Sequence, residues 1–328
     1  MRVLLLGQVS TQAEATLRRL LGDAHDLVVE HADTGPAAER AIRDAEVVVA
    51  VELPADLLRN ARRLKLVHVP GAGWDRVDVA AIPPGAVLAN AYEHEGAIGE
   101  FVLLQMLALI RELPLLDRSA RAGDWSVGRD GPRPLHRELA GRTVGILGYG
   151  RIGREVARLA RAFRLRVIAA TRTPRQEDAA DLDALVPMDR LDWLLEEAQF
   201  LVVALPLDAA TRGLIGAREL GLLGPDGYLV NVARGPIVDE AALYAALRDR
   251  TIAGAAIDTW YRYPSEPGTR TPVSDFPFWD LDNVIMTPHV AGLTEPTMAR
   301  RWQVIADNIQ RVARGDTPTT LVQRTPRP

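Results

Sequence analysis

Short apolar runs recur along the chain, separated by stretches whose apolar positions fall three and four residues apart. The runs at 3–6, 27–30, 47–51, 66–69 and 87–90 read as strands, and 12–21 and 36–44 read as helices among them. A second series starts at Thr143 and continues with 166–170, 200–205, 228–231, 254–258 and 284–286. Continuous apolar runs suit strands covered on both faces, and strand–helix alternation predicts parallel sheets. The chain therefore reads as α/β, with two doubly wound parallel-sheet domains. Two helical patterns stand apart. Residues 95–113 are apolar on nearly every face, which predicts a buried helix. It either links the two units, packed in a subunit interface, or is an ordinary core helix. Residues 295–315 follow the last strand of the second series and have no sheet partner left there, so they are expected to return to the first unit. That gives an interrupted domain, 1–97 plus 292–328, with 98–291 inserted. The tail 317–328, rich in Pro and Thr, reads as loose.

Composition narrows the classes. At 328 residues the chain suits two domains of the usual size, and 48% hydrophobic with 25% charged residues is the balance of a soluble globular protein. A net charge of −4 gives no basis for binding nucleic acid or a membrane. There is no Cys, which excludes disulfides, thiolate metal sites and a cysteine nucleophile, and no metal site is expected. Lys65 is the only Lys, and it sits at a strand start, not in a Gly-rich loop. The N-terminal run 1–7 reads as a first strand, not a signal peptide, and the longest apolar run, 101–110, is too short to span a bilayer. A cytoplasmic location is expected.

Candidate chemistry begins at Thr143. The run Thr143-Val144-Gly145-Ile146-Leu147 leads into Gly148-Tyr149-Gly150-Arg151-Ile152-Gly153, a Gly-x-Gly-x-x-Gly turn followed by a helical pattern over 154–163. Strand, glycine turn and helix in this order cradle a dinucleotide pyrophosphate. Gly148 permits the tight turn, Gly150 lets backbone approach phosphate, and Gly153 lets helix pack on strand, while the helix N-terminus faces the anion. The next strand should end at the adenosine ribose, where an NAD site places Asp or Glu. Here Thr171, Arg172 and Thr173 follow, with Arg175 beyond. No carboxylate stands there to repel a 2′-phosphate, and a guanidinium can bind one in bidentate geometry. NADP(H) is the expected cofactor, with NAD(H) still open.

Three later strands end in polar residues: Ala204-Leu205-Pro206-Leu207, Asn231-Val232-Ala233-Arg234-Gly235 and Thr287-Pro288-His289. Doubly wound sheets bind ligands outside the carboxyl ends of their strands, so Arg234 and His289 are expected beside the cofactor. An Arg there can clamp a carboxylate and polarise a carbonyl, and a His can carry the proton that accompanies hydride transfer.

At this point the chain resembles the D-isomer-specific 2-hydroxyacid dehydrogenases. The resemblance is carried by Val69-Pro70-Gly71-Ala72-Gly73-Trp74-Asp75, the 145–153 fingerprint, Pro206-Leu207 with Thr211-Arg212-Gly213, Asn231 to Gly235, Val238-Asp239-Glu240 and Thr287-Pro288-His289. It implies a Rossmann-type nucleotide domain inserted in a flavodoxin-like substrate domain, and a homodimer paired through the nucleotide domains. It implies His289 as acid/base, Arg234 on the substrate carboxylate, and the amides of Gly71, Ala72 and Gly73, with Trp74 beside them, on the same carboxylate. It implies a cofactor lined by Gly148 to Gly153, Thr171 to Thr173, Leu205, Pro206, Thr211, Val232, Ala233, Arg234, Asp258 and His289. Asp258 is either near the nicotinamide carboxamide or a strand-end cap, and Glu100 is expected to be structural. The implied reaction is NADP(H)-dependent reduction of a small 2-ketoacid or its reverse, with glyoxylate and hydroxypyruvate as default substrates. The same hydride chemistry on a phosphonate, phosphite or sulfonate is an alternative, as is a dinucleotide-sensing corepressor-like protein with little turnover. One departure stands out. The family's Glu that pairs with the acid/base His falls at Tyr263, followed by Pro264, while Glu266-Pro267 lies three residues on. Either Glu266 takes the role, or Tyr263 or nothing contacts His289; retention of Pro264 in register favours the second. The aromatic residues Trp260, Tyr261, Tyr263, Phe276, Phe278 and Trp279 either shape the pocket or pack between domains, and His94 is a loop residue that could reach the cleft.

Overall fold

The computed structural model describes residues 1–128, 131, 135–179, 181–264 and 269–324. The chain divides into two compact units, Met1–His94 with Thr294–Pro328, and Glu95–Leu293.

The first unit carries strands β1 (Arg2–Leu6), β2 (Asp26–Glu30), β3 (Val47–Val49), β4 (Leu66–His68) and β5 (Val87–Ala89), and the C-terminal β13 (Leu321–Arg324). Their order is β13-β5-β4-β3-β1-β2, parallel throughout except for β13, which runs antiparallel to β5. Alternate residues of one strand serve opposite cores. Leu4, Leu6, Val48, Val67 and Leu88 pack on one face, and Val3, Leu5, Val47, Val49 and Leu66 pack on the other. On that second face the helix Glu295–Ala313 supplies Trp302, Ile305, Ala306 and Ile309, so this late segment does return to the first sheet. The tail corrects its expectation. Leu321–Arg324 is a strand, and the segment before it is tied down by Thr319 N–H and hydroxyl groups donating to Asn308 Oδ1 at 2.8 and 3.0 Å.

The second unit holds β6 (Thr143–Leu147), β7 (Arg166–Thr171), β8 (Ala184–Pro187), β9 (Phe200–Val203), β10 (Tyr228–Asn231), β11 (Gly254–Ile257) and β12 (Val284–Met286). All are parallel, in the order β12-β11-β10-β9-β6-β7-β8. The order reverses between β9 and β6, and that switch point is where such a sheet opens a crevice. β8 has no counterpart in the sequence reading. It is an edge strand ending in Pro187, and Pro is tolerated at an edge because no ladder donor is needed there. The helix Glu95–Ile110 is buried along most of its length, and Gly99 brings it close to the helix Arg151–Ala162: a Cβ there would lie 2.9 Å from Glu155 Cγ. It ends earlier than the apolar pattern because Glu112 turns left-handed (φ 51°) and Pro114 opens a new helix, Leu113–Arg121. Among the described residues no helix is long and apolar enough to cross a membrane.

Candidate active site

The glycine turn is built as its sequence requires. Gly148 has φ +101°, and a Cβ on it would lie 2.7 Å from Leu205 Cβ and 2.8 Å from Leu205 N. A Cβ on Gly153 would lie 2.2 Å from the Gly148 carbonyl oxygen, so helix and strand meet in direct backbone contact. Gly150 differs from both. Its backbone is extended (φ −88°, ψ −156°), and a Cβ there would meet no protein atom within 4 Å. Protein packing does not demand glycine at 150. The space it leaves lies at the N-cap of the twelve-residue helix Arg151–Ala162, where amides and dipole favour an anion, so the cradle fits a pyrophosphate. Tyr149 is buried under the Arg154 guanidinium, 4.7 Å from its ring centroid. Ile152 is half-buried, and Arg151 is exposed, 3.8 Å from Glu95.

β7 ends at Thr171, and Arg172 and Thr173 follow as exposed residues. The expectation of a carboxylate-free surface here is corrected. Asp208, 36 residues further along, accepts a hydrogen bond from Arg172 Nη2 at 2.6 Å, and the guanidinium holds its carboxyl below the usual range. The loop that brings it begins at Leu205, which packs on Gly148, and Pro206. Thr211 is buried, and its hydroxyl donates to the Pro206 carbonyl at 2.8 Å and accepts from Asp208 N–H at 2.8 Å.

β10, β11 and β12 are neighbours, and each ends in a candidate residue. After β10, Val232 and Ala233 are buried and Arg234 is half-buried, with Nη1 donating to the Ala233 carbonyl at 2.8 Å. Asn231 fixes this corner, its Nδ2 donating to the Arg234 carbonyl and its Oδ1 accepting from Ala233 N–H. Gly235 lies so close to the next strand's loop that a Cβ would sit 2.5 Å from the Trp260 carbonyl. Asp258 follows β11 and is 2% exposed. Both its oxygens are taken by the loop after β12: Oδ1 accepts from the Thr287 hydroxyl (2.7 Å) and Val290 N–H (2.9 Å), and Oδ2 from Ala291 N–H (3.0 Å). That loop carries His289 in a left-handed conformation, φ +59°, which costs a non-glycine residue about 1 kcal/mol. The imidazole is exposed, and the Tyr263 hydroxyl lies 2.9 Å from its Nδ1. The same hydroxyl accepts from Trp260 N–H at 3.1 Å, and Trp260 Nε1 donates to the Thr287 carbonyl at 2.8 Å. Glu266 lies outside the described residues. The other aromatic residues divide: Trp260, Tyr261, Phe276 and Phe278 pack into the core of this unit, whereas Trp279 is exposed. Glu100 is exposed on the helix Glu95–Ile110.

Gly71, Ala72, Gly73 and the exposed Trp74 belong to the first unit, after β4. A buried chain of polar groups that the sequence did not announce holds this loop. His68 Nδ1 faces the Val69 carbonyl at 3.1 Å, and Asn308 Nδ2 is 3.0 Å from His68 Nε2 and 2.9 Å from Thr320 Oγ1. Thr320 donates to the Asn90 carbonyl, Asn90 Nδ2 donates to the Ala72 carbonyl at 2.9 Å, and Ala91 N–H donates to that of Gly71 at 3.1 Å. Burial pushes His68 down to about 4, so its ring is neutral, with Nδ1 donating and Nε2 accepting. His94 lies in the loop before the helix Glu95–Ile110, as expected, but is buried rather than solvated.

Comparison with known proteins adds the family. Residues 103–291 match the family described as D-isomer specific 2-hydroxyacid dehydrogenase, NAD binding domain. The chain is 37% identical over 277 residues to a glyoxylate reductase of Aeropyrum pernix, covering 83% of this chain and 80% of that one. It is 32% identical over 286 residues to a D-3-phosphoglycerate dehydrogenase of Methanocaldococcus jannaschii, covering 86% of this chain but spanning only 52% of that longer protein. Among solved structures, it is similar to an NADPH-dependent glyoxylate/hydroxypyruvate reductase of Sinorhizobium meliloti in complex with citrate, with TM-score 0.82, 30% identity and 99% of each chain covered.

Proposed function

The chain belongs to the D-isomer specific 2-hydroxyacid dehydrogenase family, and we propose that it reduces a small 2-ketoacid with NADP(H), or runs the reverse oxidation. Its nicotinamide-dependent oxidoreductase chemistry on CH–OH groups is the family's; the cofactor preference and the residue roles are the proposal. The observation that carries it is the Asp258 clamp. Both carboxylate oxygens are used to hold a strained His289, on the strand end beside the one that bears Asp258 and two from the one that bears Arg234. A fold has no structural need for an exposed imidazole held in this way, whereas proton transfer does.

In this reading residues 1–97 and 292–328 form the substrate domain and 98–291 the nucleotide domain. The bound nicotinamide supplies or accepts the hydride at substrate C2. Arg234 and the amides of Gly71, Ala72 and Gly73 hold the carboxylate, with Trp74 beside them. His289 gives a proton to the oxygen on C2 in reduction and takes it in oxidation. Tyr263 fixes the ring through Nδ1, leaving Nε2 as the atom that meets substrate. Val232, Ala233, Leu205, Pro206 and Thr211 border the cofactor, and Asp258 reaches it through the loops it holds. The chain acts in the cytoplasm as a homodimer paired through its nucleotide units. An apolar groove of Glu100, Leu103, Leu104, Leu107, Leu159 and Phe163, with Leu104 53% and Phe163 42% exposed, supports that face.

The test is cofactor oxidation against a panel of 2-ketoacids, with NADPH and NADH compared. Turnover is expected with a short 2-ketoacid such as glyoxylate or hydroxypyruvate, faster with NADPH, and lost in His289→Asn. Tight NADPH binding with no turnover on any acid would replace the enzyme with a dinucleotide sensor.

A further inference from the structure

We propose that Asp208 sets the cofactor choice of the nucleotide unit. It occupies the guanidinium of Arg172 that a 2′-phosphate would use, and it presents the carboxylate to which a ribose 2′-hydroxyl can donate. This deepens the NADP(H) reading and rests on it for the position of the ribose.

Topology places the pair. β7 and β9 lie on opposite sides of β6, whose carboxyl end opens into the Gly148–Gly153 turn. Arg172 is the first residue after β7, and Asp208 lies five residues after β9 ends at Val203. Their 2.6 Å contact therefore joins the loops from both neighbours of β6, beside the adenosine end of the cradle. In an NAD site the ribose carboxylate comes from the end of the strand that corresponds to β7. Here that strand ends in Thr171, and the carboxylate arrives from the loop after β9 instead.

The two partners are not equally held. Asp208 is fixed from both sides: its Oδ1 accepts from Ala210 N–H (2.9 Å) and Thr211 N–H (3.0 Å), and its own N–H donates to the buried Thr211 hydroxyl. Arg172 is exposed over 71% of its side chain and can swing. An exposed ion pair is a weak bond, and a phosphate dianion matches a guanidinium in bidentate geometry, so a 2′-phosphate can draw Arg172 away. The fixed carboxylate stays behind and repels it. NADPH thus gains Arg172 against that repulsion, whereas NADH meets an acceptor for its hydroxyl. The site accepts both, and Asp208 limits how far it favours the phosphorylated one.

Asp208→Asn isolates the charge, because the amide oxygen can still accept from Ala210 and Thr211. Calorimetric titration with 2′,5′-ADP and with 5′-ADP reads binding without turnover. Asp208→Asn is expected to tighten 2′,5′-ADP by roughly five- to thirtyfold and to leave 5′-ADP unchanged or weaker. KM for NADPH should fall in Asp208→Asn, in step with the tighter binding. In an Arg172→Ala background the gain should shrink to less than about threefold, since the released guanidinium is its main source. Asp208→Asn binding both nucleotides as the parent does would overturn the proposal, and so would an equal gain with Arg172 absent. A parent enzyme that prefers NADH would sink the NADP(H) reading alone, because the shift on Asp208→Asn is measured separately.

Discussion

The loop after β4 and the loop after β12 are both held by buried polar groups, but by opposite means. Ala72 and its neighbours hang on a relay of neutral groups from segments far apart in sequence: His68, Asn90, Asn308 and Thr320. The loop that carries His289 is clamped by a carboxylate, Asp258, whose three bonds go to residues 287, 290 and 291. A relay spreads its energy, and each link depends on the next. A charged clamp concentrates it, because each hydrogen bond to an ionised acceptor is roughly twice as strong as a neutral one. The difference suits the loads. The first loop contains two glycines and is not strained, whereas the second holds a histidine at positive φ.

The largest expected effect follows from breaking the clamp. Asp258→Ala strands two amides and a hydroxyl, and the His289 loop relaxes toward ordinary φ. Stability should fall by about 3 kcal/mol, and kcat/KM by roughly 10²- to 10³-fold, the scale for losing the position of a proton donor. Urea unfolding and initial rates check it. Near-parent kcat/KM would show that Asp258 only caps its strand.

Next comes the relay. Asn308 is fully buried, and all its hydrogen-bonding capacity is used: two donations, to His68 and Thr320, and two acceptances from Thr319. Asn308→Leu keeps the branched shape and removes every bond, at a cost of about 3 kcal/mol. Because the relay ends at Ala72, KM for the ketoacid should rise while KM for NADPH stays put. A variant that is destabilised but keeps its ketoacid KM would confine the relay to folding.

What was legible follows the same division. The strands of both sheets could be read because parallel strands buried on both faces leave unbroken apolar runs, such as Val47–Val49 and Thr143–Leu147. β8 hid behind Pro187, and β13 has only two apolar residues, Leu321 and Val322, set among Thr and Arg. The placement of residues at strand ends was equally readable: Arg234, Asp258 and His289 follow the neighbouring strands β10, β11 and β12. Tyr263 does contact His289, one of the two alternatives that its register before Pro264 left open. Asp208 and Asn308 were not legible as partners. Their meaning lies in pairings 36 and 240 residues apart, and no local pattern encodes such a distance.

The relay also titrates through His68. Burial holds His68 at about 4 in the folded chain, against 6.5 for an exposed ring. The unfolded chain therefore takes up the proton first. The contribution of His68 is whole above pH 6.5 and drains away as pH falls toward 4, by about 3 kcal/mol in total. Protonation would also set an Nε2–H against the Asn308 amide, which donates there now. Urea midpoints at pH 7.5, 5.5 and 4 should fall more steeply in the parent than in His68→Phe. Equal slopes would mean that the ring is not the buried proton acceptor of this network.

The smallest effect tests the Tyr263 hydroxyl beside His289. Tyr263→Phe removes the 2.9 Å contact to His289 Nδ1 and leaves a ring of similar shape packed against the same core. A neutral His289 accepts from that hydroxyl; a protonated one donates to it in a charge-assisted bond, which is the stronger of the two. Losing the hydroxyl therefore costs the protonated form more than the neutral one. With His289 as the proposed proton donor, kcat/KM for ketoacid reduction should fall by roughly three- to tenfold near neutrality, and by more at the alkaline end of the pH profile than at the acid end. Stability should fall by about 1 kcal/mol, because the Trp260 N–H loses the same hydroxyl as its acceptor. A pH profile identical to the parent's would mean that Tyr263 merely lies beside His289 without tuning its ring.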